Sequence, residues 1–243
     1  MTPRKLPSEG GWAGQAAYII GGGPSLCDFN WESLFPLKNV IAINAAYQRV
    51  PYAAAMFTED ARVISRFGHH QDFKVFKGLK ILHLLDSGYG PEISPFLEQL
   101  TIIRKTRTEK FWSRTWEDGL SVSSNSAVGA FNIASILGAK TIFCLGLDCR
   151  KDGDKANFHD AYPRSWAPGK AQLADYASDM ENWVALHLKN AGIKVWNVIN
   201  SRLPSAITVW PQVEFDDFYR MIKGGHPSKV LIHSKEEEIK FTF

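Results

Sequence analysis

The chain is poor in the residues that staple a protein together or carry it across a membrane. Only three cysteines, Cys27, Cys144 and Cys149, occur in 243 residues. They are odd in number and widely spaced, which gives neither a disulfide framework nor a zinc-ligand pattern. Cys144 lies within an apolar run and reads as a small core residue. No apolar run approaches the roughly 20 residues that span a bilayer, so no membrane span is expected. Residues 1–15 are polar and glycine-rich without an apolar segment, which predicts no secretory leader and a cytoplasmic location. Net charge is only +3, too little to make nucleic acid the expected partner. There is no internal repeat and no low-complexity linker.

What is present is a globular composition, with 45% hydrophobic and 22% charged residues. The length suits a single domain over residues 1–243, with a less regular insert at about 87–118 and a tail at about 224–243. Apolar runs at Ala17–Ile20, Asn39–Ile43, Ala54–Phe57, Lys80–Leu84, Thr141–Leu145 and Lys194–Val198 alternate with helical patterns. Runs that are apolar on both faces and separated by helices predict a mostly parallel sheet covered on both sides, a Rossmann-like three-layer α/β fold. A helix is expected from about Ala127 to Leu137, opened by Ser121–Asn125 and stopped by Gly138. A second is expected over Lys170 to Asn190. Its stripe Leu173, Tyr176, Met180, Trp183, Val184 and Leu188 reads as core packing. Trp112, Trp116, Trp166 and Trp210 sit among polar residues, where they pack under loops or line a cleft. The basic run Arg104–Lys110 is a solvated surface, a mobile acceptor-side loop or a basic contact for an anionic partner.

The chemistry starts at Gly21-Gly22-Gly23-Pro24-Ser25, which follows the first strand at once. Glycine admits close approach of a ligand to the main chain, and proline suits the first turn of a helix. Together they predict an anion site for a phosphorylated ligand, made of free N–H groups at a helix start. Leu26 stands where the dinucleotide fingerprint needs glycine, and no Gly-Lys-Ser/Thr follows, so neither a standard NAD site nor a P-loop is present. In an open parallel sheet, ligands gather at the carboxyl ends of strands. That places Asn44, Thr58-Glu59-Asp60, Gly146-Leu147-Asp148, and Asn200 with Ser201 at the same crevice. Ser123-Ser124-Asn125-Ser126, opening a helix, suits a second anion contact or a sugar hydroxyl. His159, flanked by Asp160 and close to Tyr162, is the candidate general base, since histidine titrates near neutrality. Asp160 orients it or acts itself.

Three ordered stretches resemble known transferases. They are Ile19-Ile20-Gly21-Gly22-Gly23-Pro24-Ser25-Leu26, then Ser124-Asn125-Ser126-Ala127 through Leu137-Gly138-Ala139-Lys140-Thr141-Ile142 to Gly146-Leu147-Asp148, and Val195 to Ser201. They are similar to the bacterial CMP-sialic-acid-dependent sialyltransferases and to the 6-hydroxymethylpterin diphosphokinase-like group. Gly22 stands where the sialyltransferases carry Asn, and of their phosphate-holding tyrosine pair only Tyr162 has a candidate. The resemblance covers about residues 16–60 and 120–215. It implies a Rossmann-like transferase that binds a nucleotide through Gly21–Ser25, Asn44, Ser124, Asn125 and Gly146, with His159 as base.

The expected function is a nucleotide-dependent transferase, foremost a glycosyltransferase moving a sugar from a nucleotide-sugar donor to an acceptor hydroxyl. The catalytic candidates are His159, Asp160 and Asp148. The donor would be held by Gly21, Gly22, Gly23, Pro24, Ser25, Asn44, Asp60, Ser124, Asn125, Gly146, Asn200 and Ser201. That reaction needs no cofactor and no metal site. One alternative is an ATP-dependent diphosphokinase with Mg²⁺ on Asp60, Glu59 and Asp148. The other is a non-catalytic nucleotide-binding module. Self-association into a homo-oligomer is compatible with the sequence.

Overall fold

The computed structural model describes residues 5–84, 90–104, 111–121, 123 and 125–232. Eight strands form one sheet: β1 (Ala16–Ile20), β2 (Val40–Ile43), β3 (Ala55–Thr58), β4 (Leu79–Leu84), β5 (Thr101–Arg104), β6 (Thr141–Leu145), β7 (Lys194–Ile199) and β8 (Gln212–Glu214). Their order is β5-β4-β3-β2-β1-β6-β7-β8, and every neighbouring pair is parallel. From β1 the chain steps outward to β5, then returns to the other side of β1 with β6. The order therefore reverses between β1 and β6, where Ile20 pairs with Leu145. This is an α/β, Rossmann-like three-layer fold.

Helices cover both faces: α1 (Ala61–Phe67), α2 (Gln71–Val75), α3 (Ser126–Ile136), α4 (Lys170–Asp179), α5 (Ala185–Asn190) and α6 (Phe215–Ile222). Strand side chains alternate between two cores, as the period of two requires. Ile19, Ile41, Phe57 and Cys144 face one core with α3 and Leu188 of α5. Tyr18, Ile20, Val40, Met56, Phe143 and Leu145 face the other with α1 and α6.

The six expected strands appear with their ends shifted by no more than a residue. β5 and β8 were not expected. β5 lies inside the stretch read as an irregular insert, and β8 has only three residues behind Pro211. Both are short edge strands, too brief to show a period. The helix expected after the glycine turn is a five-residue 3₁₀ turn, Pro24–Asp28. The helix expected over Lys170–Asn190 is interrupted by a π segment, Met180–Val184, where the Ala185 N–H donates to the Met180 carbonyl. Of the four loop tryptophans, Trp112 and Trp210 are core residues, 8% and 6% exposed. Residues 105–110 of the basic run and 233–243 of the tail lie outside the described residues. Leu231, in the described part of the tail, pairs antiparallel with Gln212 of β8.

α3 reaches the sheet closely because Gly129 has no side chain. A Cβ there would stand 2.5 Å from Cε1 of Phe57, a ring with no exposure. Alanine would gain about 1 kcal/mol of helix propensity, whereas overpacking a fixed aromatic costs about 1–3 kcal/mol. Gly129→Ala is therefore expected to lower stability by up to about 2 kcal/mol in urea denaturation. A more stable variant would show that α3 can move away from β3.

Candidate functional site

A crevice of about 920 Å³ opens at the carboxyl ends of the strands. The reversal between β1 and β6 leaves room there, as in other open α/β sheets. Gly21–Gly23 follow β1, Asn44 follows β2, Glu59 and Asp60 follow β3, and Gly146–Arg150 follow β6. Asn125 and Ser126 enter from the start of α3, and Asn157 from the long segment between β6 and α4.

The first corner holds an unexpected occupant. The Ser25 N–H and hydroxyl donate to the two carboxylate oxygens of Asp148, at 2.7 and 2.6 Å. Gly21 and Gly23 N–H groups donate to the carbonyls of Leu145 and Gly146, both at 2.8 Å. The expectation of free amides gripping a phosphate at Gly21–Ser25 is thus corrected at Ser25: the chain's own carboxylate takes these donors. Pro24 and Ser25 are buried beneath the corner and do not line the crevice. The glycines serve close packing. A Cβ on Gly21 would meet the Gly146 carbonyl at 2.5 Å, and one on Gly23 would meet it at 2.6 Å.

Asp148 is 3% exposed. Burial pushes its carboxyl up to about 6, against the pull of the Ser25 donors and Arg150. Asn44 sits in the left-handed region at φ +54°, which asparagine tolerates. Its Oδ1 is buried with no hydrogen-bond partner, as is Nε1 of Trp183. Both residues line the crevice. Asp60 caps α1 by accepting from the Arg62 N–H at 2.9 Å and pairs with the Arg62 guanidinium at 2.7 Å. Asn125 caps α3 by accepting from the Ala127 N–H at 2.9 Å. The Ser126 hydroxyl accepts from the Glu59 N–H at 3.2 Å.

Besides Pro24 and Ser25, four expected site residues do not line the crevice. His159 packs edge-on between the rings of Phe158 and Tyr162, at 4.8 and 4.6 Å. Its Nδ1 accepts from the Ala161 N–H at 3.3 Å. Burial pushes it down to about 4, with Asp160 pulling the other way. It is neutral at physiological pH with its lone pair engaged, a poor proton acceptor. Asp160 is exposed outside the crevice. Asn200 turns back to accept from the Arg202 N–H at 3.0 Å, and Ser201 is exposed. The end of β7 is thereby spent on a turn, and Ile207 lines the crevice instead. Ser124 lies outside the described residues.

The sequence reading missed the wall built by α4 and the π segment. Gln172, Tyr176, Asp179, Asn182 and Trp183 all line the crevice. Met180, Val184 and Leu188 are buried as expected, but Tyr176 and Trp183 are only partly so. The polar residues interleaved on that flank were the available signal. For the diphosphokinase alternative, no three carboxylate, histidine or cysteine side chains among the described residues form a group able to hold a metal. Asp60 is tied to Arg62, and Asp148 to Ser25. Comparison with family models, with curated proteins and with solved structures finds no match.

Asp148 and His159 make opposite demands on pH. The Asp148 carboxyl is raised, so the native state holds its proton longer, and stability falls as pH rises from about 4 to about 6. The loss is about 3 kcal/mol. His159 is lowered, so the unfolded state binds the proton first, and stability rises as pH climbs from about 4 to 6.5. Allowing for partial exposure, that gain is about 2 kcal/mol. Denaturation at stepped pH should show the stability of Asp148→Asn relative to wild type increasing with pH. The relative stability of His159→Gln should decrease over the same window. Parallel profiles for both variants would refute these assignments.

Proposed function

We propose that the crevice binds a nucleotide-sugar and transfers the sugar to an acceptor hydroxyl. The observation that supports this most is the crevice itself. It lies at the carboxyl edge of a parallel sheet, at the reversal of strand order, and is lined by glycine, amide and hydroxyl groups from four strand ends and α3. Its volume suits a ligand of that size. Asn44 Oδ1 and Trp183 Nε1, one acceptor and one donor, are desolvated and unpaired in its walls, the state in which a buried polar group gains most from a ligand. Tyr176 and Trp183 add aromatic surface for a planar or sugar ring.

The ligand's phosphate does not sit on Ser25 in this reading, because Asp148 occupies those donors and repels an anion. Arg150 makes no salt bridge among the described residues, although its charge reaches Asp148, and with the start of α3 it offers the counter-charge. Asp148 replaces His159 as the candidate proton acceptor. It lines the crevice, and its affinity near 6 lets it be ionised at neutral pH yet still take a proton. The diphosphokinase reading is the weaker one because its carboxylates are engaged elsewhere. The non-catalytic module keeps the same crevice without turnover.

Thermal-shift titration with CMP, UDP, ADP and ATP, each with Mg²⁺ or chelator, tests the reading. A nucleotide that binds only the native state raises the melting temperature. Stabilisation by a nucleoside mono- or diphosphate that survives chelation is the expected result. Asp148→Asn should retain that shift but lose turnover of the matching nucleotide-sugar by at least about a hundredfold, while His159→Gln retains it. No response to any nucleotide would overturn the proposal, and a strict need for Mg²⁺ with ATP would favour the diphosphokinase.

A further inference from the structure

The edge of the sheet opposite the crevice has a chemistry of its own. All eight strands run the same way, so all of them open on that edge. Lys77 precedes β4, Lys38 precedes β2, Lys140 precedes β6 and Lys194 opens β7. The main chain holds them in file: the Lys194 N–H donates to the Lys140 carbonyl, and the Lys140 N–H to the Gln15 carbonyl, both at 3.0 Å. With about 4.8 Å between strands, the file from β4 to β7 is about 24 Å long. All four lysines are exposed, as is Lys5. Lys5 and Lys77 flank Tyr52 in a shallow cavity of about 580 Å³ on the same edge. None of the five lysines makes a salt bridge among the described residues.

Two apolar side chains stand beside this file. Phe35 is 71% exposed, and its ring meets that of Tyr52 edge-on at 5.3 Å. Val75, two residues before Lys77, is 48% exposed. The far end of the molecule is mixed: Glu59, Asp60, Asp148 and Asp179 line the crevice with Arg62 and Arg150, and the segment beside it interleaves Asp152, Asp154 and Asp160 with Lys151, Lys155, Arg164 and Lys170.

We propose that this basic edge docks the protein on an anionic lipid surface, with Phe35 and Val75 entering the headgroup layer and the crevice facing away. Charge complementarity sets the orientation: the lysine file makes no salt bridge among the described residues and carries the exposed Phe35 and Val75, whereas the cations at the crevice end sit among carboxylates. Each lysine that comes near such a surface strengthens binding about fivefold, and the buried apolar side chains add to it. A lipid surface fits better than nucleic acid. The file is all lysine, without the planar arginine fork that suits nucleic-acid phosphates. Phe35 offers one face to a base, but its exposed neighbour Val75 is aliphatic, so the two do not make the series of stacking platforms that single strands use.

Vesicle sedimentation of the full chain tests this, using phosphatidylcholine alone and with about one-third phosphatidylglycerol, at low and high salt. Wild type should bind only the anionic vesicles and be released by salt. The triple variant Lys38→Glu, Lys140→Glu, Lys194→Glu should bind at least about thirtyfold more weakly. Phe35→Ser, which changes no charge, should bind about tenfold more weakly. A control with the same net charge, Lys151→Glu, Lys155→Glu, Lys170→Glu, should stay within about threefold of wild type. Circular dichroism checks each fold, and Phe35→Ser carries the test if the triple variant does not fold. The proposal is overturned if anionic vesicles are not preferred, or if both triple variants lose binding equally. It is also overturned if these lysines bind a single-stranded oligonucleotide while vesicles go unbound.

Discussion

The contact between Asp148 and Ser25 is the constraint on which the crevice depends. The two residues are 123 apart in sequence, and they join the segment after β6 to the segment after β1. Those two strands flank the reversal of strand order, where no crossover helix binds one end to the other. The carboxylate spans this gap with two charge-assisted bonds, and such bonds are stronger than neutral ones. Its burial is expensive, which is why its proton affinity rises. Removing either partner would leave a buried polar group unsatisfied. The glycines follow from this contact. Gly21 and Gly23 lie so close to Gly146 that no side chain fits, and closeness of that kind is what lets a single carboxylate reach Ser25.

A second consequence concerns where an anion can go. The glycine corner has the outline of a phosphate cradle, but its donors already face a carboxylate. A phosphate placed there would have to displace Asp148 or meet it protonated. The remaining positive groups, Arg62 and Arg150, lie further along the crevice, and Arg62 is already paired with Asp60. In the proposed reading a phosphate would lie toward Arg150 and the start of α3, which would leave Asp148 beside the sugar rather than beneath the phosphate.

The layered fold was legible because buried parallel strands are continuous apolar runs, and Ile19-Ile20, Ile41-Ala42-Ile43 and Ile142 to Leu145 are nothing else. The carboxyl-end rule then gave Gly21–Gly23, Asn44, Asp60, Gly146 and Asp148, and the helix-opening cluster gave Asn125, without any knowledge of contacts. Other parts were illegible for physical reasons. A histidine beside an aspartate and a tyrosine looks catalytic in one dimension. Only packing shows that His159 is wedged between Phe158 and Tyr162 with its Nδ1 engaged. The stripe on the long helix has one period, but its residues serve two neighbours: Val184 and Leu188 meet the sheet, while Tyr176 and Trp183 meet the crevice. Periodicity reports that a face is apolar and not what lies against it. Asn200 and Ser201 sit at a strand end like the others, yet the turn to Leu203 folds them away.

Helix ends account for part of the charge at the two edges of the sheet. Helices in such a fold start near the carboxyl ends of strands and finish near the amino ends. Their starts favour carboxylates and their ends favour cations. Asp60 caps α1, and Asp72, Asp216 and Asp217 lie in the first turns of α2 and α6. Lys74, Lys189 and Arg220 lie in the last turns of α2, α5 and α6. The effect is local: Asp72 and Lys74 lie two residues apart in α2, Asp217 pairs with Arg220 at 2.6 Å, and α4 opens on Lys170 against this preference. At the crevice the lining carries Glu59, Asp60, Asp148 and Asp179 against Arg62 and Arg150. Any anionic ligand of the crevice must therefore be recognised against the local field, through specific cations and hydrogen bonds, and not by attraction at a distance.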